Sequence, residues 1–518
     1  MIETYGHCYL GVDYSTPPHE LRPYALADAQ NVLPTQSGLP TGRKGSTKYN
    51  GTSLASRITS FHEFRSGSTR KQLCSDTTVI SLYNSTTGEF ADEITGLTTG
   101  KMLQWVNFAG KAICVNEGSD APQYYDADAS GDLAGSPEKG LTIAEWGNRL
   151  WLGGASGDGR SAVLQGSVLN DPTDWTVAAT ATGAIDQEIG DTYDPITGLF
   201  GFFDMLLIGK KNNIYKAYST SGVTTDGTTL AFQPLYSKSQ DSIGFTSPWA
   251  ITQVGNDVIF LDGFDIKRLS GIQEYGDVEH ASVIPQCRAY IESVADKDYL
   301  QYTQFFHYKK EQQIWVSIPT GATTHYVFVL DYRFKRETGE YAFYPMGDLV
   351  VNCFGGVEDG EVINLYYGDE TGFVHQLDTG NDDNGTAIDR YFVNVVSGNN
   401  ERVNNRHINR KQFMNTEAYI AGEQATLTMT PYYAVDCMDD SQVRDSTYTS
   451  LGEESVAGWS GGESGGATMS GVYFKRIPAF GVNGNTIAVK WRNNTTAQNF
   501  TFYPSTIEYR MKKKNLIV

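Results

Sequence analysis

Eight histidines, six cysteines and sixty acidic residues are the side chains of this chain best suited to chemistry. Their spacing decides which chemistry is open. The histidines stand far apart, with no HxH or HExxH pair, and the cysteines form no CxxC pair, so a zinc site has no local ligand set. Asp126, Asp128, Ser130 and Gly131 follow the opening of a calcium loop, which needs oxygen ligands at alternate positions and a bidentate glutamate at its end. That last position is Pro137, with Glu138 one place late, so a solvated loop is the simpler reading. Residues 41–47, TGRKGST, hold the letters of a phosphate-cradling loop, but the lysine precedes the second glycine, and the segment reads as a basic turn. Residues 459–466, WSGGESGG, set a serine among glycines without the strand-to-helix turn that a nucleophile elbow requires.

Carboxylate pairs such as Asp186/Glu188 and Asp382/Asp383 are expected from the number of acids alone. Glycoside hydrolysis needs two of them facing each other across a sugar cleft, which spacing in sequence does not establish. Sialidase-type boxes of the form S-x-D-x-G-x-T-W are absent. Tyr124, Tyr125, Trp175 and Tyr193 could stack on sugars if exposed, or pack between structural units if buried. No cofactor, metal or catalytic set is expected, and the chain reads as a non-enzyme.

The elements that must position these residues repeat. Residues 196–218, ITGLFGFFDMLLIGKKNNIYKAY, run strand, break, buried strand, turn, strand. Similar units occur at 146–153, 254–269 and 309–318. Their polar turns, marked by Gly67, Gly110, Asn148, Asp204, Asn256, Glu311 and Asp359, recur at roughly 40 to 55 residues, about one four-stranded propeller blade. A unit that cannot bury its own apolar face implies a closed or stacked array. The expectation is an all-β protein: a β-propeller of six or seven blades over residues 51–386, an N-terminal extended or platform segment over 1–50, and a C-terminal β-sandwich-like domain over 387–518. The last rests on residues 411–433, which alternate as sandwich strands do. A β-helix is the rival architecture, though its repeats are shorter.

Composition agrees: 54 glycines, 31 tyrosines and Thr/Val/Ile-rich apolar runs mark an all-β chain. The N-terminus shows no basic and apolar regions of a secretory signal, and the longest apolar run, 199–209, is too short to span a bilayer. Scattered cysteines suit free thiols in a protein assembled in a reducing cytoplasm. A net charge of −20 opposes general binding to phosphates; it suits a wall that nucleic acid slides past, or simple solubility. Charge is partitioned: residues 170–209 carry seven acids and no base, and 352–401 ten acids against one arginine, whereas 402–411 and 475–514 are basic.

A series of landmarks runs through these units: LADAQNVLPTQSGLPTGRKGS (26–46), NRLWLGG (148–154), VLNDPTDWT (168–176), residues 194–218, residues 243–269, DETGFVHQLDTGNDDNGTAI (369–388) and the strand pattern of 411–436. Their order resembles the propeller-bearing tail nozzle (tail tubular protein B-like) family of short-tailed bacteriophages, over roughly residues 20 to 440. The resemblance implies a structural virion protein without a cofactor, assembled in the host cytoplasm. It would form a homo-hexamer below the head-to-tail adaptor, enclose the channel through which double-stranded DNA leaves, and carry tail fibres or spikes at its side. It places the N-terminal segment and the C-terminal domain in the ring and the propellers at the periphery. On that basis Asp436, Asp439, Asp440, Asp445, Glu453 and Glu454 are candidates to face the channel. Arg402, Arg406, Arg410 and Lys411 are candidates to meet acidic neighbours at subunit or adaptor interfaces, or else form a solvated face. The alternatives are a receptor-binding or glycan-degrading propeller of the phage tail, or another tail component with the same propeller.

Overall fold

The computed structural model describes residues 1–157, 159–235, 242–269, 282–334, 339–397, 410–424, 426–437, 443–444, 448–452, 454–457, 472–477 and 481–512; for 426, 454–457 and 472–477 it describes only the backbone. The chain is all-β, with two bodies: a seven-bladed propeller and a two-sheet sandwich. Blades one to seven occupy residues 60–95, 104–132, 142–188, 196–234, 251–268, 304–345 and 353–377. Each is an antiparallel meander, and blade five has three strands among the described residues, with Lys267 bridged to Ser282. The first strands of successive blades stand side by side, and Cys353–Asp359 packs against Ser60–Ser66 to close the ring.

The repeats exist because no blade buries its own apolar face. Phe64, Leu73 and Ile80 of blade one meet Ala112, Cys114 and Tyr125 of blade two. Ile113 and Val115 of blade two meet Ile143, Leu150 and Leu152 of blade three. The same zipping continues through Trp151 with Leu206, and through Leu207 with Phe260. The seven turn markers read from sequence all fall in or at the edge of the hairpin between the first and second strands of a blade. Ala109–Gly110 and Gly147–Asn148 have positive φ at both positions, the backbone of a two-residue hairpin turn whose twist matches the strands. Arg149, in the NRLWLGG landmark, is fully buried and gathers the carbonyls of Ser167, Ala181 and Gly183.

The N-terminal fifty residues are not a separate platform. Ser46–Lys48 adds to Val374–Leu377 as the outer strand of blade seven. Ile2–Tyr5, Val32–Pro34 and Pro40–Gly42 belong to one sandwich sheet, with Phe500–Met511, Lys411–Gly422, Val472–Ile477 and Asn483–Gly484. Asp28–Gln30 edges the other, with Arg390–Val396, Ile487–Asn493, Thr426–Val435, Thr449–Ser450 and Glu454–Ala457. The expected alternation holds in Lys411–Gly422, whose buried positions run mostly every second residue before and after its bulges. Phe392 and Trp491 of one sheet meet Phe502 of the other at 4.9 and 5.2 Å between ring centroids. That core continues through Val12 into Phe328 and Phe343 of blade six, so propeller and sandwich share one apolar interior. The six cysteines are all free and buried.

Deleting residues 1–48 removes the closing strand and four sandwich strands together; near-ultraviolet circular dichroism is expected to show loss of fixed tertiary structure, whereas Tyr193→Ala, at a residue 95% exposed, leaves it unchanged. His62 lies flat on Trp105 of the next blade, with centroids 5.3 Å apart and planes at 5°. Its Nε2 is buried without a partner. Burial, only partly offset by Asn107, pushes its pKa down from 6.5 to about 4. The folded chain therefore binds this proton later than the unfolded chain. The stability is present in full above pH 6.5 and is lost as pH falls toward 4, by about 3 kcal/mol for this residue. His62→Gln should flatten that stretch of the stability–pH curve in denaturant titrations.

Candidate functional site

The chain passes between its two bodies at one place. It leaves the sandwich at Pro40–Gly42, crosses Arg43, Lys44 and Gly45, and enters blade seven at Ser46–Lys48. It leaves blade seven at Val374–Leu377 and re-enters the sandwich at Arg390–Val396. The two crossings lie against each other: Gly45 N donates to Gly380 O, Thr379 N to Gly45 O, Ser46 N to Asp382 O and Asn384 N to Ser46 O. A Cβ on Gly45 would fall 1.9 Å from the Asp382 carbonyl oxygen, and one on Gly42 would fall 2.2 Å from Asn499 Oδ1. Close approach, not turn conformation, explains these glycines of TGRKGST: Gly45 lies against the Asp382 backbone, and Gly42 against the Asn499 and Arg390 side chains.

The arginine between them holds the junction. Arg43 is 2% exposed. Its guanidinium donates to both carboxylate oxygens of Asp383, at 3.0 and 2.5 Å, and through Nε to Asn31 Oδ1 at 2.8 Å. Asn31 in turn donates to Asp348 and to the carbonyl of Asp389. Arg390, fully buried, donates to the carbonyls of Arg43, Asn381 and Gln498. Burial, with the Arg43 charge beside it, pushes its pKa down to about 10, so it remains a cation at neutral pH. One carboxylate and several carbonyls thus satisfy two buried guanidiniums, as the cost of burying charge demands.

A cleft of about 350 Å³ opens beside the junction, between the sandwich and the first hairpin of blade six. Its charges are paired: Lys44 with Glu423 at 2.5 Å, Lys310 with Asp378 at 3.0 Å, and Arg333 with Asp331 at 2.5 Å. Arg333 also donates to the carbonyl of Pro34, tying the N-terminal strands to blade six. The arrangement is a mechanical clamp: its ionic groups are engaged with one another.

The acidic and basic residues singled out from sequence fall elsewhere on the sandwich. Asp436 is exposed, in a positive-φ conformation (59°), just after Thr426–Val435, and its Oδ1 accepts from Asn485 N. Lys411 is fully buried and donates from Nζ to Asn485 O at 2.8 Å. Members of the two sets therefore meet on one residue. This corrects the expectation for Lys411: its ammonium points into its own chain and is not presented to a neighbour. Arg410 is exposed, and its carbonyl accepts from Lys512 N. Glu454 begins Glu454–Ala457, opposite Met429. Asp439, Asp440, Asp445, Glu453, Arg402 and Arg406 lie outside the described residues. In the basic C-terminal stretch, Lys490 sits over the Tyr391 ring at 3.5 Å and Arg492 forms a two-bonded pair with Asp389.

The other motifs resolve similarly. Asp126 receives the Lys111 ammonium at 2.5 Å and backbone N–H groups of Asp128 and Ala129, so a lysine stands where a calcium loop would hold its ion. Among the described residues no group of His, Cys, Asp and Glu is placed to hold a metal. Asp186 pairs with Arg160, and Glu188 accepts from Thr192. Tyr125 and Trp175 are buried between blades, Tyr124 lies beneath Lys111, and Tyr193 is exposed. Sequence reasoning missed the Arg43–Asp383–Arg390 junction. The available signal was an arginine flanked by glycines, set against a run of adjacent aspartates far along the chain.

No family model and no curated protein matches the chain. Among solved structures, BamB from Moraxella catarrhalis is similar at 12% identity, over 67% of this chain and 95% of that one, with a TM-score of 0.37. The propeller assignment rests on the strand pairing described above.

Breaking a buried ion pair from one side leaves the other charge uncompensated, at about 3–5 kcal/mol. Arg43→Met is expected to destabilise the chain by about that much. Arg43→Met with Asp383→Asn should cost clearly less than the sum of the two single changes, giving a coupling of about 2 kcal/mol in a denaturant double-mutant cycle.

Proposed function

We propose that the chain is a structural tail protein of a short-tailed bacteriophage, a nozzle subunit that builds a hexameric ring below the head-to-tail adaptor. The observation that carries this reading is the joint origin of the sandwich. Strands from residues 2–42 and from 390–511 form one body, and the propeller is inserted between them as a side body. A ring wall built from both chain ends, with propellers outside it, is the division that the landmark order implies. The landmarks also meet in space: Arg43 and Gly45 from the first close on Gly380, Asp382 and Asp383 from the sixth.

The charge supports the same reading. A lumen lined by a chain of net charge −20 repels phosphates and lets double-stranded DNA slide without a binding site. Asp436, exposed at the end of a sandwich strand, is a candidate for the lumen face. Fibres or spikes would attach to the propeller side, where each blade offers its hairpins.

A reconstruction of the virion tail tests this. Six copies around the channel, sandwich inward and propeller outward, with an acidic lumen, is the expected result. Copies away from the tail axis, or a basic lumen, would count against it.

A further inference from the structure

The first hairpins of the blades share one kind of turn, and blade four departs from it. The residue that opens the two-residue turn is glycine in blades one, three, five and seven, where Gly67, Gly147, Gly255 and Gly360 take φ of 57°, 60°, 63° and 65°. Blade two places Ala109 there at 49°, and blade four places Phe203 at 50°. A bulky side chain in the left-handed region is strained, and glycine would relieve it. Phe203 is also 63% exposed, so burial within its own fold does not offset the strain. A strained and exposed aromatic at one position points to a contact made outside the chain.

Neighbouring loops extend this tip into a face. Trp146 Nε1 donates to Phe203 O, Asn170 N to Asn148 O, and Gly227 N to Ala181 O. These bonds stitch the first hairpins of blades three and four to loops 167–184 and 220–229, on which Val177 and Val223 are 60% and 52% exposed. Glu145, Asp171, Asp174, Asp204 and Asp226 bring carboxylates to the same segments. Their one cation, Arg149, is fully buried among carbonyls. The face is apolar at its tip and negative around it.

The sandwich carries the complement. On Phe500–Met511, Arg510 is exposed and alternates with buried Ile507 and Tyr509, opposite Gln412, and Lys512 N donates to Arg410 O. Arg410, Arg510 and Lys512, all exposed, therefore share the outer side of one sheet. Ile2, 71% exposed, joins them opposite Glu508, the one acid among these positions. This face is positive with an apolar edge. Phe203 and Ile2 are both exposed in the same fold, so neither covers the other within one chain.

We propose that the Phe203 face of one copy docks on the Arg410–Arg510–Lys512 face of a second copy of this chain. Phe203 is the apolar anchor, and the carboxylates around it meet the cations. The two patches differ, so the contact is head-to-tail and can propagate from copy to copy. The ring reading requires contacts between copies, and these are the faces that make them; only closure into a ring rests on that reading.

Sedimentation velocity on the full chain tests it. At low ionic strength the parent is expected to self-associate, and added salt should weaken the association. Phe203→Gly should weaken it at least tenfold. The same variant should melt no lower than the parent, because glycine relaxes the turn, which separates a lost anchor from lost folding. Arg510→Glu should weaken association comparably. Combining it with Asp204→Lys in the same chain should restore association, since the reversed charges again face each other. A parent that stays monomeric, association undiminished in Phe203→Gly, or no recovery in the double variant would overturn the proposal. Failure of the ring reading shows separately, as copies off the tail axis in the virion, and would leave these faces standing.

Discussion

The rest of this molecule depends on two passages of backbone lying against each other between Arg43 and Asp383. The chain enters and leaves its propeller at a single blade, and the strand that closes the ring is the one that has just left the sandwich. Ring closure and inter-body docking are therefore one event. The buried Arg43–Asp383 pair, the Asn31 amide and the Arg390 guanidinium hold both passages in place. Hydrophobic packing through the shared core supplies the bulk of the stability, since burial of apolar surface is the dominant favourable force. The polar junction supplies register: a one-residue slip would carry Arg43 away from its carboxylate and drive the Gly45 position into a carbonyl.

Much of the propeller was legible in sequence, for a physical reason. Each blade begins with a hairpin whose turn must be polar and tight, and Gly110, Asn148 and their counterparts recur at blade spacing because the ring repeats one geometric requirement. The sandwich strand at residues 411–422 was legible through its period-two alternation. The strands at 2–5, 28–30, 32–34 and 40–42 were not. All are three or four residues long, too short for a period to show; 2–5 and 28–30 pair with partners hundreds of residues away, while 32–34 and 40–42 pair with each other. The closing strand at 46–48 was hidden in the same way.

Charge was the least legible property. The sequence shows where cations and carboxylates cluster but not which side of a strand carries them. Lys411 belongs to a basic run, yet the alternation of its strand turns it inward onto Asn485. Arg492 likewise meets Asp389 from the same body. Arg43, read as part of a basic turn, is among the most buried charges described. A basic stretch in a β-protein is thus as much a source of internal ties as of interfaces.

Propeller and sandwich, joined at the Arg43–Asp383 junction, unfold as one cooperative unit. Scanning calorimetry of the intact chain tests it most directly. A single transition, with calorimetric and van't Hoff enthalpies in agreement, is the predicted result. Two resolved transitions, with the sandwich and the propeller melting separately, would contradict it.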